Sequence, residues 1–265
     1  MTDALDQAGF KKSDLDAVAV TQGPGLVGSL LVGYSFAKAL AYGLDIPWVG
    51  VNHLEGHILS VFLEDDPPDF PFCALLASGG HTAIYYVTAF TEIERMGQTR
   101  DDAAGEAYDK VAKVLGLGYP GGKVIDDLAH QGDPTRIPFK RPFLDRNGFD
   151  FSFSGIKSAV SRLVQKEPET IKARVADVAA GFQEAVVEVL TFKLMHAVRE
   201  KNCRHAVVAG GVAANRRLRE SVRQAGREQG VGGLVSGSLA RRLGPGAVRD
   251  LLAGELRLGS GIVIA

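Results

Sequence analysis

Two histidines four residues apart, His53 and His57 in the stretch VNHLEGH (51–57), are the side chains best suited to chemistry. On a helix, residues i and i+4 share one face, one turn apart. That is the spacing at which two imidazoles hold one metal ion. The helical zinc-protease motif H-E-x-x-H puts its glutamate directly after the first histidine. Here the glutamate is Glu55, about 200° round the helix from His53 at roughly 3.6 residues per turn. Glu55 therefore points away from a metal held by the pair, and suits the role of capping-box partner to an Asn52 N-cap. A histidine pair of this kind is as often a plain polar helix face. Two ligands also make no site, and a third must come from elsewhere.

A second set of residues suits a nucleotide. Ser78-Gly79-Gly80-His81-Thr82 separates two apolar runs. Gly-Gly in that setting is a hairpin turn on its own merits, yet the flanking Ser, His and Thr place donors at the tip, where a phosphate or carboxylate could lie. Gly210-Gly211-Val212-Ala213-Ala214-Asn215 breaks a strand and opens a basic helix carrying Arg216, Arg217, Arg219 and Arg223. An earlier Gly-rich loop at 21–28 also joins strand to helix. It lacks the Gly-Lys-Ser/Thr end of a P-loop, so a tight turn explains it equally well. Among the carboxylates, Asp109 falls one turn after Gly105, and Asp126 follows the turn Tyr119-Pro120-Gly121-Gly122. Carboxylates beside glycine turns suit a ribose or an amino acid, although solvated helix faces look the same. No Ser-His-Asp or Cys-His set stands out.

The elements that must position these groups follow in order. A helix end over 3–12 closes at Gly9, and a buried strand runs over 15–20. An amphipathic helix then reaches about Tyr42, its apolar residues including Leu30, Leu31, Tyr34, Phe36, Ala37 and Leu40. A strand at 46–51 leads into the histidine helix, which runs to about Leu63. This βαβα order is the mark of a layered α/β fold. The acidic, Pro-rich stretch 64–70 is the best domain boundary. Beyond it come strands at 72–77 and 83–88, then a helix at 101–113 with Asp101 and Asp102 at its N-terminus, where acids suit the dipole. Glu106 and Lys110 form an i,i+4 pair on it. A helix restarts at 124–129. Phe149, Phe151 and Phe153 alternate with Asp150, Ser152 and Ser154 as in a half-buried strand. A long helix, or pair of helices, spans 171–200 with Val178, Phe182, Val186, Val189 and Leu190 inward, and a strand follows at 205–209.

At 265 residues, with 46% hydrophobic and 23% charged side chains, the chain suits one large or two modest globular domains. A net charge of -1 gives no global nucleic-acid signature, so any such partner must use a local patch. Cys73 and Cys203 sit at no metal or redox spacing, which suggests a reducing compartment. Neither a signal peptide nor an apolar run of 18 residues is read, and the expected location is cytoplasmic, with no membrane partner.

The motifs GPGLVGSLLVG, NHLEGH, LLASGGHT, DDAAGEAYDKVAKVLGLGYPGG, FDFSFSGIK and VVAGGVAANRRLR occur in this order over residues 17–219. Together they resemble the tRNA N6-adenosine threonylcarbamoyltransferase family (TsaD), formerly called glycoprotease or O-sialoglycoprotein endopeptidase. The resemblance implies an α/β actin-like ATPase fold of the sugar kinase/Hsp70/actin type, with two α/β domains and a cleft between them. The domains are expected at 1–69 and 70–231, followed by an atypical tail at 232–265. It implies transfer of a threonylcarbamoyl group from threonylcarbamoyl-AMP to the N6 amine of the adenosine beside the anticodon, in tRNAs reading codons that begin with A. By the same resemblance His53 and His57 match the family's metal ligands, for one divalent metal per subunit, iron (Fe2+) with zinc as the alternative. Leu76, Ala77, Ser78, Gly79 and Gly80 match its adenylate loop. Asp109, Gly122, Asp126 and Asn215 match further substrate contacts. No side-chain nucleophile is implied, since the tRNA amine attacks directly. A paralogous actin-like protein and a small ATPase are the expected partners.

Two departures from the family pattern shape the expectations. Its opening strand, resembling L-G-I-E-T-S-C-D-E-T, has no counterpart, so the first sheet is expected to have an unpaired edge and exposed apolar surface around Val18 and Val20. Its C-T-D-N motif, whose aspartate is the third metal ligand, is also missing; Asp250 is set in V-R-D-L, which does not match. Truncation at the start and divergence or a frameshift at the end are the expected reasons. Residues 1–265 alone are accordingly expected to bind metal weakly and to be a poor enzyme, with Asp250 or Glu255 as the replacement ligand if they are not. A metalloprotease and a non-catalytic partner-binding relative are the alternative readings.

Overall fold

The computed structural model describes residues 3, 5, 6, 9–235 and 262–264. Asp250, Glu255 and most of the expected tail 232–265 lie outside the described residues. The chain divides into two compact units. One contains Met1–Leu63 with a C-terminal strand, and the other is Glu64–Gly237.

The first unit is a parallel sheet. Strand β1 (Ala17–Gly23) pairs with β2 (Trp48–Asn52), and the crossover between them is helix α1 (Val27–Leu44). Parallel neighbours need such a crossover because a hairpin cannot join them. The other edge of β1 pairs with β8 (Ile262–Ile264) through Ala17, Val18 and Ala19. The expectation of an open edge is therefore corrected. Val18 and Val20 are each 1% exposed, packed with Ala37 and Ala41 of α1. The inward face of α1 is made of these small residues with Tyr34 and Leu40, while Leu31 and Phe36 of the expected apolar stripe lie outside it and are exposed. With mean hydropathy 1.2 over 18 residues, α1 is long and apolar enough to cross a membrane by length and composition alone. This corrects the reading that no such run is present.

The second unit is a five-stranded sheet in the order β5-β4-β3-β6-β7. Strands β3 (Phe72–Ala77), β4 (Thr82–Ala89) and β5 (Glu92–Gln98) form an antiparallel meander. Strands β6 (His205–Ala209) and β7 (Gly232–Val235) add in parallel on the other side of β3. All six residues of β3 are buried, as a central strand covered on both faces requires. The main core joins this sheet to helices α3 (Ala104–Val114), α4 (Gly121–Ala129), α5 (Ser154–Lys166) and α7 (Val175–Glu200). Val178, Phe182, Val186, Val189 and Leu190 are fully buried as expected, and the alternative of a helix pair holds, since α6 (Pro168–Ala173) precedes α7. Helix α8 (Arg216–Gln229) follows β6 through a 3-10 turn at Gly211–Ala214.

Two local expectations fail for one reason. Asp101 and Asp102 precede α3 rather than cap it by dipole alone, and the Phe149–Ser154 stretch is no strand beyond a single bridge, Thr99 to Phe151. Asp101 instead accepts hydrogen bonds from Phe153 N at 2.7 Å, Ser154 N at 3.2 Å, Ser154 Oγ at 2.9 Å and the hydroxyl of Ser152. A carboxylate that gathers backbone N–H groups ends an extended run and starts a helix, here α5. Burial alone would raise the pKa of Asp101, but the hydrogen bonds from Ser152, Phe153 and Ser154 outweigh it and hold it below 3.8. A depressed carboxylate stabilises the folded state above its unfolded pKa, and that contribution is lost as pH falls through the folded pKa. Asp101→Ala is thus expected to cost about 1–2 kcal/mol at neutral pH. Denaturant titrations should show its deficit shrinking only below pH 3.8; a deficit independent of pH would refute the assignment.

Candidate functional site

In the first unit β2 ends at Asn52, whose side chain accepts from Leu54 N at 2.9 Å and Glu55 N at 3.4 Å. This N-cap starts helix α2 (His53–Leu59), continued by a 3-10 turn to Leu63. The expected reciprocal bond from Glu55 to the Asn52 backbone is not made, so this is a one-sided cap rather than a capping box. The rings of His53 and His57 lie with centroids 4.5 Å apart, inclined at 73°. One turn of helix has brought both imidazoles to one side, close enough for two bonds to a single ion of about 2.0–2.1 Å each. Among the described residues no group of three or more His, Cys, Asp or Glu is placed to hold a metal. The pair fits two positions of a metal's shell, and Glu55 is not a third.

In the second unit the Gly-rich turns meet at the carboxyl ends of β3 and β6, adjacent parallel strands in register Leu76 with Ala209. In α/β sheets that edge, outside the strand ends, is where ligands bind. The turn after β3 is closed by Ser78 N to His81 O at 2.8 Å and by His81 N to Ser78 Oγ at 3.1 Å. Gly79 and Gly80 form its exposed tip, with nothing within 4 Å of where a Cβ would sit. Leu76 and Ala77 belong to β3 itself and are fully buried, so they can meet a ligand only through the backbone. At Gly210, φ is 93° and a Cβ would lie 2.5 Å from Ala77 O. Only glycine lets the two strand exits approach so closely.

Helix α3 ties the rest to this edge. Gly105 N donates to Ser78 O at 3.1 Å, and a Cβ on Gly105 would lie 2.6 Å from that oxygen. Ala104 N donates to the buried Thr82 Oγ1 at 2.8 Å. One turn on, Asp109 Oδ1 accepts from Gly121 N at 2.7 Å and so caps α4. Gly122 beside it faces open space. Tyr108 reaches the other way, its hydroxyl 3.5 Å from Asn215 Nδ2. Asn215 is the N-cap of α8, with Oδ1 accepting from Leu218 N at 2.9 Å and Nδ2 donating to Gln183 Oε1 at 2.6 Å. Asp126 is 9% exposed and accepts from Arg216 Nε at 2.8 Å, while Arg216 Nη2 reaches Asp127 at 2.6 Å. The structure thus ties Ser78, Asp109, Asp126 and Asn215 together through α3, α4 and α8, with Gly79 beside Gly105 and Gly122 next to the Gly121 that Asp109 holds.

Sequence reasoning missed Gln183 and Glu184, which lie within a helix read as core, and Tyr108. Glu184 holds Arg217 by two bonds of 2.7 Å. Burial, followed by the charges of Asp126 and Glu184, pushes the Tyr108 phenol well above its ordinary range and keeps it neutral. The available signal was a Gln-Glu pair inside an otherwise apolar helical stripe.

The family profile for tRNA N6-adenosine threonylcarbamoyltransferase (TsaD) matches residues 1–236. The enzyme of that name from Desulforapulum autotrophicum is 62% identical over 215 residues, covering 81% of this chain and 65% of the relative. That from Syntrophotalea carbinolica is 54% identical over 229 residues, covering 86% and 67%. The chain therefore spans about two thirds of the length of these relatives. Among solved structures, HypF from T. kodakarensis superposes with TM-score 0.65 at 15% identity, covering 86% of this chain and 38% of that one. Full-length HypF in its phosphate- and nucleotide-bound form gives 0.61 at 15%, covering 91% and 47%. At that identity the likeness is one of fold, and the fold is of the actin-like ATPase class. The motifs, the meeting of the second unit's Gly-rich turns at the ends of β3 and β6, and a profile match over most of the chain lead to one conclusion: this chain belongs to the TsaD family.

Proposed function

We propose that the chain serves in the transfer of a threonylcarbamoyl group from threonylcarbamoyl-AMP to the N6 amine of the adenosine beside the anticodon, in tRNAs reading codons that begin with A. The observation that carries this reading is the family match over residues 1–236, which includes every Gly-rich strand exit and the histidine pair. The geometry agrees with the chemistry. The exposed Gly79–Gly80 tip has backbone N–H groups without partners among the described residues, suited to an adenylate phosphate. Asp109 keeps Oδ2 for a ribose hydroxyl while Oδ1 fixes the start of α4, and Gly122 leaves the space beside it open. The tRNA amine attacks the carbamoyl carbon, the carbon–oxygen bond to AMP breaks, and AMP leaves with its phosphate charge held by the loop.

His53 and His57 would hold one divalent ion, iron or zinc, the remaining ligands being water or groups outside the described residues. When bound, such an ion supplies Lewis-acid polarisation of a carbamoyl or phosphate oxygen. A paralogous actin-like partner, a small ATPase and a cytoplasmic location complete the reading. Nothing favours peptide hydrolysis. Because residues 220–265 contain no C-T-D-N aspartate, residues 1–265 alone should turn over far more slowly than a full-length relative.

The test is a chimera in which residues 1–231 replace the matching segment of the Desulforapulum autotrophicum enzyme. It is assayed by mass spectrometry of tRNA nucleosides with threonylcarbamoyl-AMP and the partner proteins supplied. Threonylcarbamoyl-adenosine should form. A folded but silent chimera beside an active parent would sink the proposal.

A further inference from the structure

A polar pocket of 160 Å³ opens where α4, α7 and α8 meet, its lining including Asp126, His130, Gln183, Glu184, Arg216 and Arg217. A cavity of about 150 Å³ already admits benzene, so this one takes a single ring system. Its charges argue against a phosphate, because the lining carries three carboxylates, Asp126, Glu184 and Glu220, against the guanidinium groups of Arg216 and Arg217. Arg217 holds Glu184 through Nε and Nη2, and Arg216 holds Asp126 and Asp127 in the same way. The flat guanidinium faces offer a surface on which nucleobases stack.

The hydrogen-bond polarity inside the pocket follows from one backbone group. Leu218 N can only donate, so the side chain of Asn215 must turn its Oδ1 toward it. Asn215 Nδ2 then faces Gln183, which must answer with its oxygen, at 2.6 Å. The Gln183 amide nitrogen is left over. It has no hydrogen-bond partner among the described residues, on a side chain only 5% exposed. In the lining of the same pocket, Asp126 has one oxygen on Arg216 and the other without a hydrogen-bond partner among the described residues. Gln183 and Asp126 therefore present a fixed donor and an acceptor to the pocket. Adenine offers the complement on its Watson–Crick edge, a ring acceptor at N1 beside a donor amine at C6. Hypoxanthine offers the reverse, an N1–H donor beside an oxygen.

We infer that Gln183 is a specificity-determining residue, donating its amide N–H to the adenine ring of the bound adenylate, with Asp126 accepting from the base amine. The inference rests on the adenylate reading above and adds the residue that selects the base. Gln183→Glu tests it with little change of shape, because the carboxylate still accepts from Asn215 while the donor is lost.

The full chain and its variants are titrated calorimetrically with AMP, IMP and ribose 5-phosphate, with melting temperature as the control for folding. The unsubstituted chain should prefer AMP to IMP. Gln183→Glu should lose about 10–100-fold in AMP affinity, abolish the AMP-over-IMP preference and leave ribose 5-phosphate unchanged. Gln183→Met, neutral and of similar length, should narrow the preference without abolishing it, since Asp126 still accepts from the base amine. Unchanged AMP affinity in both folded variants overturns the inference and leaves the adenylate reading standing. So does an equal loss for AMP and ribose 5-phosphate, which would make Gln183 a mere support for Asn215. No AMP binding by the unsubstituted chain overturns both.

Discussion

His53→Ala and His57→Ala are each expected to weaken binding of Zn2+ or Fe2+ by more than ~100-fold, whereas Glu55→Gln leaves it unchanged. Losing a ligand should exceed the roughly 10–100-fold that changes behind a ligand produce. The two rings, 4.5 Å apart on one side of α2, are positioned to share the ion, and no third His, Cys, Asp or Glu joins them among the described residues. With so few protein ligands, neither histidine can be spared. Equilibrium dialysis of the purified chain and its three variants gives the answer. Metal retained by either histidine variant would reduce the pair to a polar helix face, and metal lost by Glu55→Gln would overturn the exclusion of Glu55 as a ligand.

Gly210→Ala should cost about 3 kcal/mol or more of stability, because it combines a strained backbone with overpacking. At Gly210 φ is 93°, and a Cβ would sit 2.5 Å from Ala77 O, a backbone atom that cannot swing aside. The substitution would push the β6 exit off the β3 exit and spread the edge at which the glycine turns meet. Gly211→Ala next door is the control. Nothing lies within 4 Å of its Cβ position, so a change within about 0.5 kcal/mol is expected. Chemical denaturation of the two variants decides the matter. Equal stabilities would mean that the close approach of the two strands is unimportant.

Much of this protein was legible in the order of its residues. The histidine helix, the strands at 72–77 and 205–209, the Gly-Gly hairpin and the buried stripe of α7 are local patterns, set by a period of two or 3.6 and by turn chemistry. The six motifs carried the family and the actin-like fold, because their order along the chain is itself specific. What remained open depended on groups distant in sequence. Asp101 was read as the start of its own helix, yet its carboxylate is captured by Phe153 and Ser154, 52 and 53 residues away. Val18 and Val20 were expected at an open edge, and β8 closes it from the far end of the chain. Gln183 was passed over as part of a core helix. Its role follows only once Asn215, 32 residues on, turns its amide toward it. A periodic pattern reports which face of an element is buried. Which carboxylate caps which helix, and which amide keeps a free N–H, is decided by tertiary contacts, because each buried donor must find its acceptor wherever the fold supplies one.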